Sequence, residues 1–128
     1  MYRLQVKSHF DSAHYIKDYQ GKCSRIHGHR WEVEVVLEGK HLDSRNILVD
    51  FSEVKKTLKS YLDEAFDHYL LNDTLVERNV TAEFLAERIY NDLKCKLIER
   101  TSKGPVKLTR VTVWESPEYC VKYYGDEK

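Results

Sequence analysis

The sequence has no excess of charge of either sign. Its 128 residues include 21 basic and 21 acidic side chains, so the formal net charge is zero. A chain without net charge has no global electrostatic field that would draw it to nucleic acid or to an anionic membrane surface. The composition therefore argues against both kinds of partner, whereas the weak charge repulsion between copies permits self-assembly.

Long apolar runs are lacking as well. The first ten residues, MYRLQVKSHF, contain no apolar stretch of the kind found in a signal peptide. No segment approaches the roughly 18 apolar residues that a membrane span requires. Cysteine is sparse, and the odd number and irregular spacing of Cys23, Cys95 and Cys120 argue against a disulfide framework. We therefore expect reduced thiols in a cytoplasmic protein.

The chain length fits a single domain over residues 1–128, without an internal repeat or a linker. Alternation of apolar and polar residues predicts half-buried strands over 2–14 and 27–38. Later segments rich in β-branched and aromatic residues predict an antiparallel hairpin with strands over 106–115 and 119–124.

Two helices are predicted between these pairs of strands. The first follows a cap provided by Asp50 or Ser52, because either side-chain oxygen can accept a free backbone N–H. A loop over 66–80 comes next, and the second helix should begin near Thr81 and end before Lys-Gly-Pro at 103–105. The order ββααββ predicts an α+β domain, in which a four-stranded antiparallel sheet carries both helices on one face.

Three histidines share the apolar side of the first two predicted strands. His27 and His29 have the parity of Trp31, and His14 has the parity of Phe10. If the two strands pair, the imidazoles meet at one end of the buried face, and three neutral imidazoles match a catalytic zinc site that keeps an open position. A single buried histidine is usually only a hydrogen-bonded core residue, so the prediction depends on the convergence of all three.

Cys23 lies in a polar loop, four residues before His27. A zinc ion nearby would favour the thiolate at neutral pH, and a thiolate can act as a base. Alternatively, the thiolate is a fourth metal ligand, which would make the site closed and structural. Cys95 and Cys120 have no such neighbours and receive no role.

Two further places carry side chains suited to proton transfer or ligand binding. Asp67 and His68 follow the first predicted helix, and a carboxylate can orient an imidazole and stabilise its protonated form. Adjacency in sequence does not establish that geometry. Glu115 ends an apolar strand, where a buried carboxylate would need donors that a ligand can supply. From spacing alone, an exposed glutamate is the favoured interpretation.

Several motifs together resemble the 6-pyruvoyl-tetrahydropterin synthase family, in the same order over most of the chain. The most specific combination is Phe-x-x-x-His followed by Cys and His-Gly-His, at positions 10–14 and 23–29. The supporting segments are Val49-Asp50-Phe51, Phe66-Asp67-His68, Leu71-Asn72-Asp73, Thr81-Ala82-Glu83 and Trp114-Glu115-Ser116.

The resemblance implies roles for individual residues. Zinc would be bound by His14, His27 and His29. Cys23 would be the general base, Asp67 with His68 a second proton relay, and Glu115 the anchor of the pterin with Thr81 beside it. The family often has Pro before this Thr and Ser or Thr after it, where this chain has Val80 and Ala82. These departures bear on the Thr81 contact and not on the metal ligands.

The resemblance also implies a fold, an assembly and a reaction. Members have the tunnelling fold, in which sheets join into a barrel of subunits, commonly a trimer stacked into a hexamer, with sites at subunit interfaces. The substrate is 7,8-dihydroneopterin triphosphate. The spacing Cys-x-x-x-His-Gly-His most resembles the 6-carboxytetrahydropterin synthase branch, whose reaction releases acetaldehyde and triphosphate in queuosine and deazapurine biosynthesis.

Three alternatives remain open from the sequence. The first is the pyruvoyl-forming reaction on the same substrate, in which the longer gap between cysteine and histidine is typical. The second is an enzyme acting on another carbonyl or diol substrate. The third is a non-enzymatic binding module with a closed structural zinc.

Overall fold

Four antiparallel strands form one sheet. The computed structural model describes residues 1–17, 20–75, 79–100 and 104–125, with only the backbone at 99 and 100. The strands lie side by side in the order β1 to β4, and their bounds are Tyr2–His14, His27–Gly39, Lys107–Ser116 and Tyr119–Tyr123. The predicted strands and their antiparallel pairing are confirmed, with ends that differ by one residue.

The register between β1 and β2 places the apolar residues of both strands on one face. Phe10 lies opposite Trp31, and Val6 lies opposite Val35. Because side chains alternate along a strand, every second residue from Val6 to His14 faces the same side. The other face of β1 and β2 is charged and includes a bidentate ion pair between Arg30 and Asp11 at 2.9 and 3.2 Å.

The two long helices begin at polar caps. Helix α1 spans Phe51–Ala65, and the Asp50 carboxylate accepts a hydrogen bond from the backbone N–H of Ser52 at 2.8 Å, so Asp50 is the cap of the two predicted candidates. The last helix, α3, spans Ala82–Arg100, and Thr81 Oγ1 accepts from the N–H of Phe84 at 3.1 Å. The predicted stop at Lys103 lies outside the described residues.

The predicted order of elements misses one helix. Residues 66–80 are predicted to be a loop, but Leu71–Thr74 form one helical turn, α2, so three helices lie between β2 and β3 in the part of the chain that the structure describes. Four residues are too few to display a helical period in the sequence. The turn is instead anchored by tertiary packing, because Leu71 and Leu75 are 0% and 5% exposed. A short 3-10 turn, Lys22–Ser24, also lies in the predicted polar loop.

Helices α1 and α3 pack on the same face of the sheet. Leu58 and Leu62 of α1 and Ile89 of α3 join Phe10 and Trp31 in one continuous apolar core. The prediction that both helices cover one face is therefore confirmed. None of the helices in the described ranges is long and apolar enough to cross a bilayer.

The segment that joins α1 to α2 covers the outer edge of β1 near its end. The N–H of His68 donates to Asp11 O at 2.6 Å, and the N–H of Ala13 donates to Tyr69 O at 3.1 Å. The Asn72 side chain then accepts from the N–H of Tyr15 and donates to its carbonyl oxygen, both at 2.9 Å. These bonds place the Asp67-His68 pair beside the strand that carries His14.

Two isoleucines of α3 allow a matched test of this core. Ile89 is fully buried and Ile98 is 40% exposed. We expect Ile89→Ala to lower the free energy of unfolding by about 2–5 kcal/mol, because it leaves a cavity. Ile98→Ala should cost less than about 1 kcal/mol. Denaturant unfolding at one protein concentration measures both, and equal losses would contradict this packing.

Candidate metal centre

The paired ends of β1 and β2 bring three imidazoles together. His14 lies directly opposite His27, and His29 follows two residues later on the same face of β2. The ring centroids are 4.5 Å apart for His14 and His27, 4.7 Å for His27 and His29, and 5.3 Å for His14 and His29. The structure thus gathers the three histidines that the sequence singles out.

Glu115 from β3 completes this group. Its Oε2 atom lies 3.2 Å from Nε2 of His14 and 3.1 Å from Nε2 of His29. One ligand atom from each of the four side chains lies within 4.8 Å of all the others, so the group can hold a metal ion. The Glu115 side chain is 28% exposed, so the exposed glutamate favoured by spacing alone is not what the fold produces.

Backbone carbonyls select the tautomers of two of the imidazoles. Nδ1 of His14 lies 2.6 Å from Val80 O, and Nδ1 of His27 lies 2.6 Å from Arg25 O. A carbonyl oxygen can only accept, so each Nδ1 carries the proton and donates. The neutral ring then has its lone pair on Nε2, and metal-binding histidines are typically held by such a bond to the other nitrogen.

The ligand atoms of the three histidines and Glu115 suit a bound cation. Nε2 of His29 is buried and lacks an aligned hydrogen bond, although a Glu115 oxygen is only 3.1 Å away. Burial is the main cause that lowers the pKa of His29; the adjacent Glu115 opposes this, and His14 and His27 reinforce it. A lowered pKa favours the neutral imidazole that a metal requires. Three imidazole nitrogens and one carboxylate oxygen suit a first-row transition metal ion.

Trp31 packs against two of the three imidazoles. Its ring meets those of His14 and His29 edge to face, at centroid distances of 4.9 and 5.3 Å, and it is fully buried. The contact restricts the orientation of both imidazoles and presents an apolar wall to them. Sequence reasoning assigned Trp31 only to the core, although its position two residues after His29 on the same face was a usable signal.

Cys23 is partly buried in the 3-10 turn, where its carbonyl oxygen accepts from the N–H of Ile16 at 2.7 Å. Within the described ranges, the group of potential ligands has Glu115 as its fourth member and does not include Cys23. This arrangement does not support a closed site with Cys23 as the fourth ligand. Its role as a base stays a prediction.

Asp67 and His68 form a hydrogen-bonded pair of their own. Nδ1 of His68 donates to Asp67 Oδ2 at 2.8 Å, and the backbone N–H of Asp11 donates to Asp67 Oδ1 at 2.9 Å. The bond from Asp11 is the main reason that the pKa of Asp67 is lowered. The His68 side chain is 79% exposed, and its backbone adopts the left-handed region at φ 64°. The pair thus faces solvent at the edge of β1.

Thr81 serves as the cap of α3, because its hydroxyl oxygen accepts from the N–H of Phe84. The preceding carbonyl, of Val80, is the one that holds His14. The start of α3 is therefore tied to the metal-binding group through the backbone. The predicted contact between Thr81 and a substrate stays a prediction.

Comparisons with known proteins agree on one family. A model described as 6-pyruvoyl tetrahydropterin synthase matches residues 3–126. Two relatives named 6-carboxy-5,6,7,8-tetrahydropterin synthase are similar over nearly the whole chain. The Bacillus subtilis protein is 34% identical, over 94% of this chain and 84% of its own. The Rickettsia bellii protein is 28% identical, over 95% of this chain and 99% of its own.

A solved structure agrees in fold. The Caenorhabditis elegans 6-pyruvoyl tetrahydropterin synthase superposes with a TM-score of 0.79 at 23% identity, covering 98% of this chain and 96% of that one. At this identity the likeness establishes the shared fold and not the reaction.

Removing one imidazole tests the metal site directly. We expect about one metal ion per wild-type chain, because four convergent ligand side chains suffice for one ion. His27→Ala should lose most of this metal, whereas His41→Ala, which alters an exposed histidine outside the group, should keep it. Elemental analysis after dialysis measures both. Stoichiometric metal in the His27→Ala protein would rule out the assignment.

Proposed function

We propose a function for this chain from the family to which it belongs, that of the 6-pyruvoyl tetrahydropterin synthases. The proposed activity is that of a zinc-dependent lyase, breaking carbon–oxygen and carbon–carbon bonds. It converts 7,8-dihydroneopterin triphosphate to 6-carboxy-5,6,7,8-tetrahydropterin and releases acetaldehyde and triphosphate. The observation that carries the proposal is the convergence of His14, His27 and His29 on one point beside a carboxylate.

Zinc is the metal that these ligands favour in our proposal. It accepts imidazole nitrogen and carboxylate oxygen in four-coordinate sites, and catalytic zinc commonly has three protein ligands and one exchangeable position. When bound, it would act as a Lewis acid that holds the side-chain oxygens of the substrate and eases proton removal at the neighbouring carbon. The His14 and His27 rings are already oriented for this by the carbonyls of Val80 and Arg25.

Cys23 is the proposed general base. It lies in the turn that leads directly into the metal-binding end of β2, and the main chain of Ile16 holds this turn against the end of β1. A general base raises the rate only if it reaches the proton that it removes. The hydrogen bond to Ile16 therefore matters because it fixes the position of Cys23. The three residues between Cys23 and His27 match the spacing of the carboxy-forming branch.

The proposed second proton relay is the Asp67-His68 pair. A lowered pKa keeps Asp67 ionised, so its carboxylate can hold the His68 ring and stabilise the imidazolium. Because His68 is largely exposed, we propose that the pair completes a site at a subunit interface.

Glu115 is the proposed pterin anchor, since one carboxylate can accept from two N–H groups of the pterin ring. Thr81 is proposed to lie beside it.

The proposed assembly is the tunnelling fold, with a single domain over residues 1–128 and a hexamer made of two trimers. Strands β1 and β4 form the two edges of the sheet. Edge strands present backbone groups that can pair with another copy, so edge-to-edge pairing would join the sheets into a barrel. We propose a cytoplasmic location for the protein and the pterin triphosphate as its small-molecule partner. Neither nucleic acid nor membrane is a proposed partner.

Light scattering at micromolar concentration tests the assembly. We expect a mass near that of six chains, because an interface site requires neighbouring copies and the edge strand β4 can pair with one of them. A monomer at this concentration would contradict the proposed hexamer and leave the metal site unaffected.

Product analysis tests the reaction. The purified zinc protein should release acetaldehyde from 7,8-dihydroneopterin triphosphate. Cys23→Ala should keep its metal and lose turnover by roughly 10²- to 10⁴-fold, the range for removal of a general base. Cys95→Ala, at an exposed thiol of α3, is the matched control and should retain turnover.

Other results of that experiment separate the alternatives. A pyruvoyl pterin formed without acetaldehyde would identify the other branch of the family. Loss of metal together with stability in Cys23→Ala would instead favour a structural zinc. Absence of any turnover of the pterin would favour a different carbonyl or diol substrate.

A further inference from the structure

The Glu115 carboxylate lies near two of the three imidazoles, at close to the spacing of neighbouring ligand atoms around one tetrahedral ion. With zinc–ligand bonds of about 2.0–2.2 Å, neighbouring ligand atoms of a tetrahedron are about 3.3–3.6 Å apart. The observed separations from Glu115 Oε2 are 3.2 Å to His14 Nε2 and 3.1 Å to His29 Nε2. A single oxygen atom therefore meets two imidazole nitrogens at nearly the spacing that a shared metal would impose.

Hydrogen bonds alone do not account for this arrangement. Nδ1 of His14 already donates to Val80 O, so the neutral ring presents a lone pair towards Glu115. His29 Nε2 has no aligned hydrogen bond to the same oxygen. For Glu115 to accept from both rings, the fully buried His14 would have to carry a positive charge, because its Nδ1 already donates to Val80 O. A cation between the lone pairs and the carboxylate removes both difficulties.

The pterin role proposed for Glu115 excludes metal binding at the same moment. The pterin edge offers two N–H donors, and a carboxylate that accepts from both uses both of its oxygens. When the side chain of the substrate is held at the metal, this edge lies at the opposite end of the fused rings, so the Glu115 carboxylate cannot reach both at once.

We infer that Glu115 exchanges between two partners, closing the coordination sphere of the metal in the resting protein and leaving it for the pterin ring when substrate binds. The pterin half of this inference rests on the proposed function, whereas the metal half stands on the geometry of His14, His29 and Glu115. The exchange frees a ligand position only when a pterin is in place. The resting metal is thus kept from water and from other oxygen ligands.

Metal affinity tests the resting state. Glu115→Gln replaces an anionic ligand by a neutral amide of the same shape. Divalent cobalt is the probe, because its visible spectrum reports the ligand set. We expect cobalt to bind to the variant on the order of 10- to 100-fold more weakly, because losing even a residue that only orients a metal ligand typically costs that much affinity. The visible spectrum of the bound cobalt should also change. Glu118→Gln makes the same change at an exposed residue of the adjoining turn and should alter neither the cobalt affinity nor the spectrum. Unchanged affinity and spectrum in Glu115→Gln would overturn the inference.

Unsubstituted pterin tests the exchange without any variant. It carries the N–H edge but has no side-chain hydroxyl that could reach the metal. Added to the wild-type cobalt protein, it should shift the spectrum towards that of Glu115→Gln. No spectral change at any pterin concentration would overturn the exchange. Both measurements are independent of turnover, so a failure of the proposed reaction would be seen separately in the acetaldehyde assay.

Discussion

The antiparallel register of β1 against β2 is the constraint on which the rest of the molecule depends. It sets Phe10 opposite Trp31 in the core and His14 opposite His27 at the end of the same face. A slip of one residue would turn the side chains of a strand to its other face, so the core and the metal-binding group would be lost together. Burial of the core thus determines the geometry of the site.

One residue, Trp31, belongs to both the core and the site. Trp31 packs against Phe10 on one side and against the rings of His14 and His29 on the other. A close-packed interior resists displacement, so the imidazoles are held in place by the protein itself. This preorganisation is extended by the backbone, because the carbonyl of Val80 at the start of α3 and that of Arg25 before β2 orient two of the rings.

The segment after α1 brings a second set of polar groups to the edge of β1. Asp11 receives the backbone of His68 on its carbonyl and donates its own N–H to Asp67. On its side chain, Asp11 pairs with Arg30, which lowers its pKa and ties the edge to β2. The Asp67-His68 pair is therefore built into the sheet edge, and its imidazole faces solvent. This placement is what an interface site would need.

Local sequence patterns were sufficient to place the strands and the two long helices, to narrow the cap of α1 to Asp50 or Ser52, and to put His14, His27 and His29 on the apolar sides of their strands. Each of these depends on side chains close together along the chain. The one-turn helix α2 escaped prediction, since four residues carry no period and Leu71 is held there by the core. The position of Glu115 beside the imidazoles, the hydrogen bond that the Asp11 N–H donates to Asp67 and the bond of His14 to the Val80 carbonyl were likewise decided by tertiary structure. They join residues as far apart as 14 and 115, and contacts of that range come only from the order and register of the strands in the folded sheet.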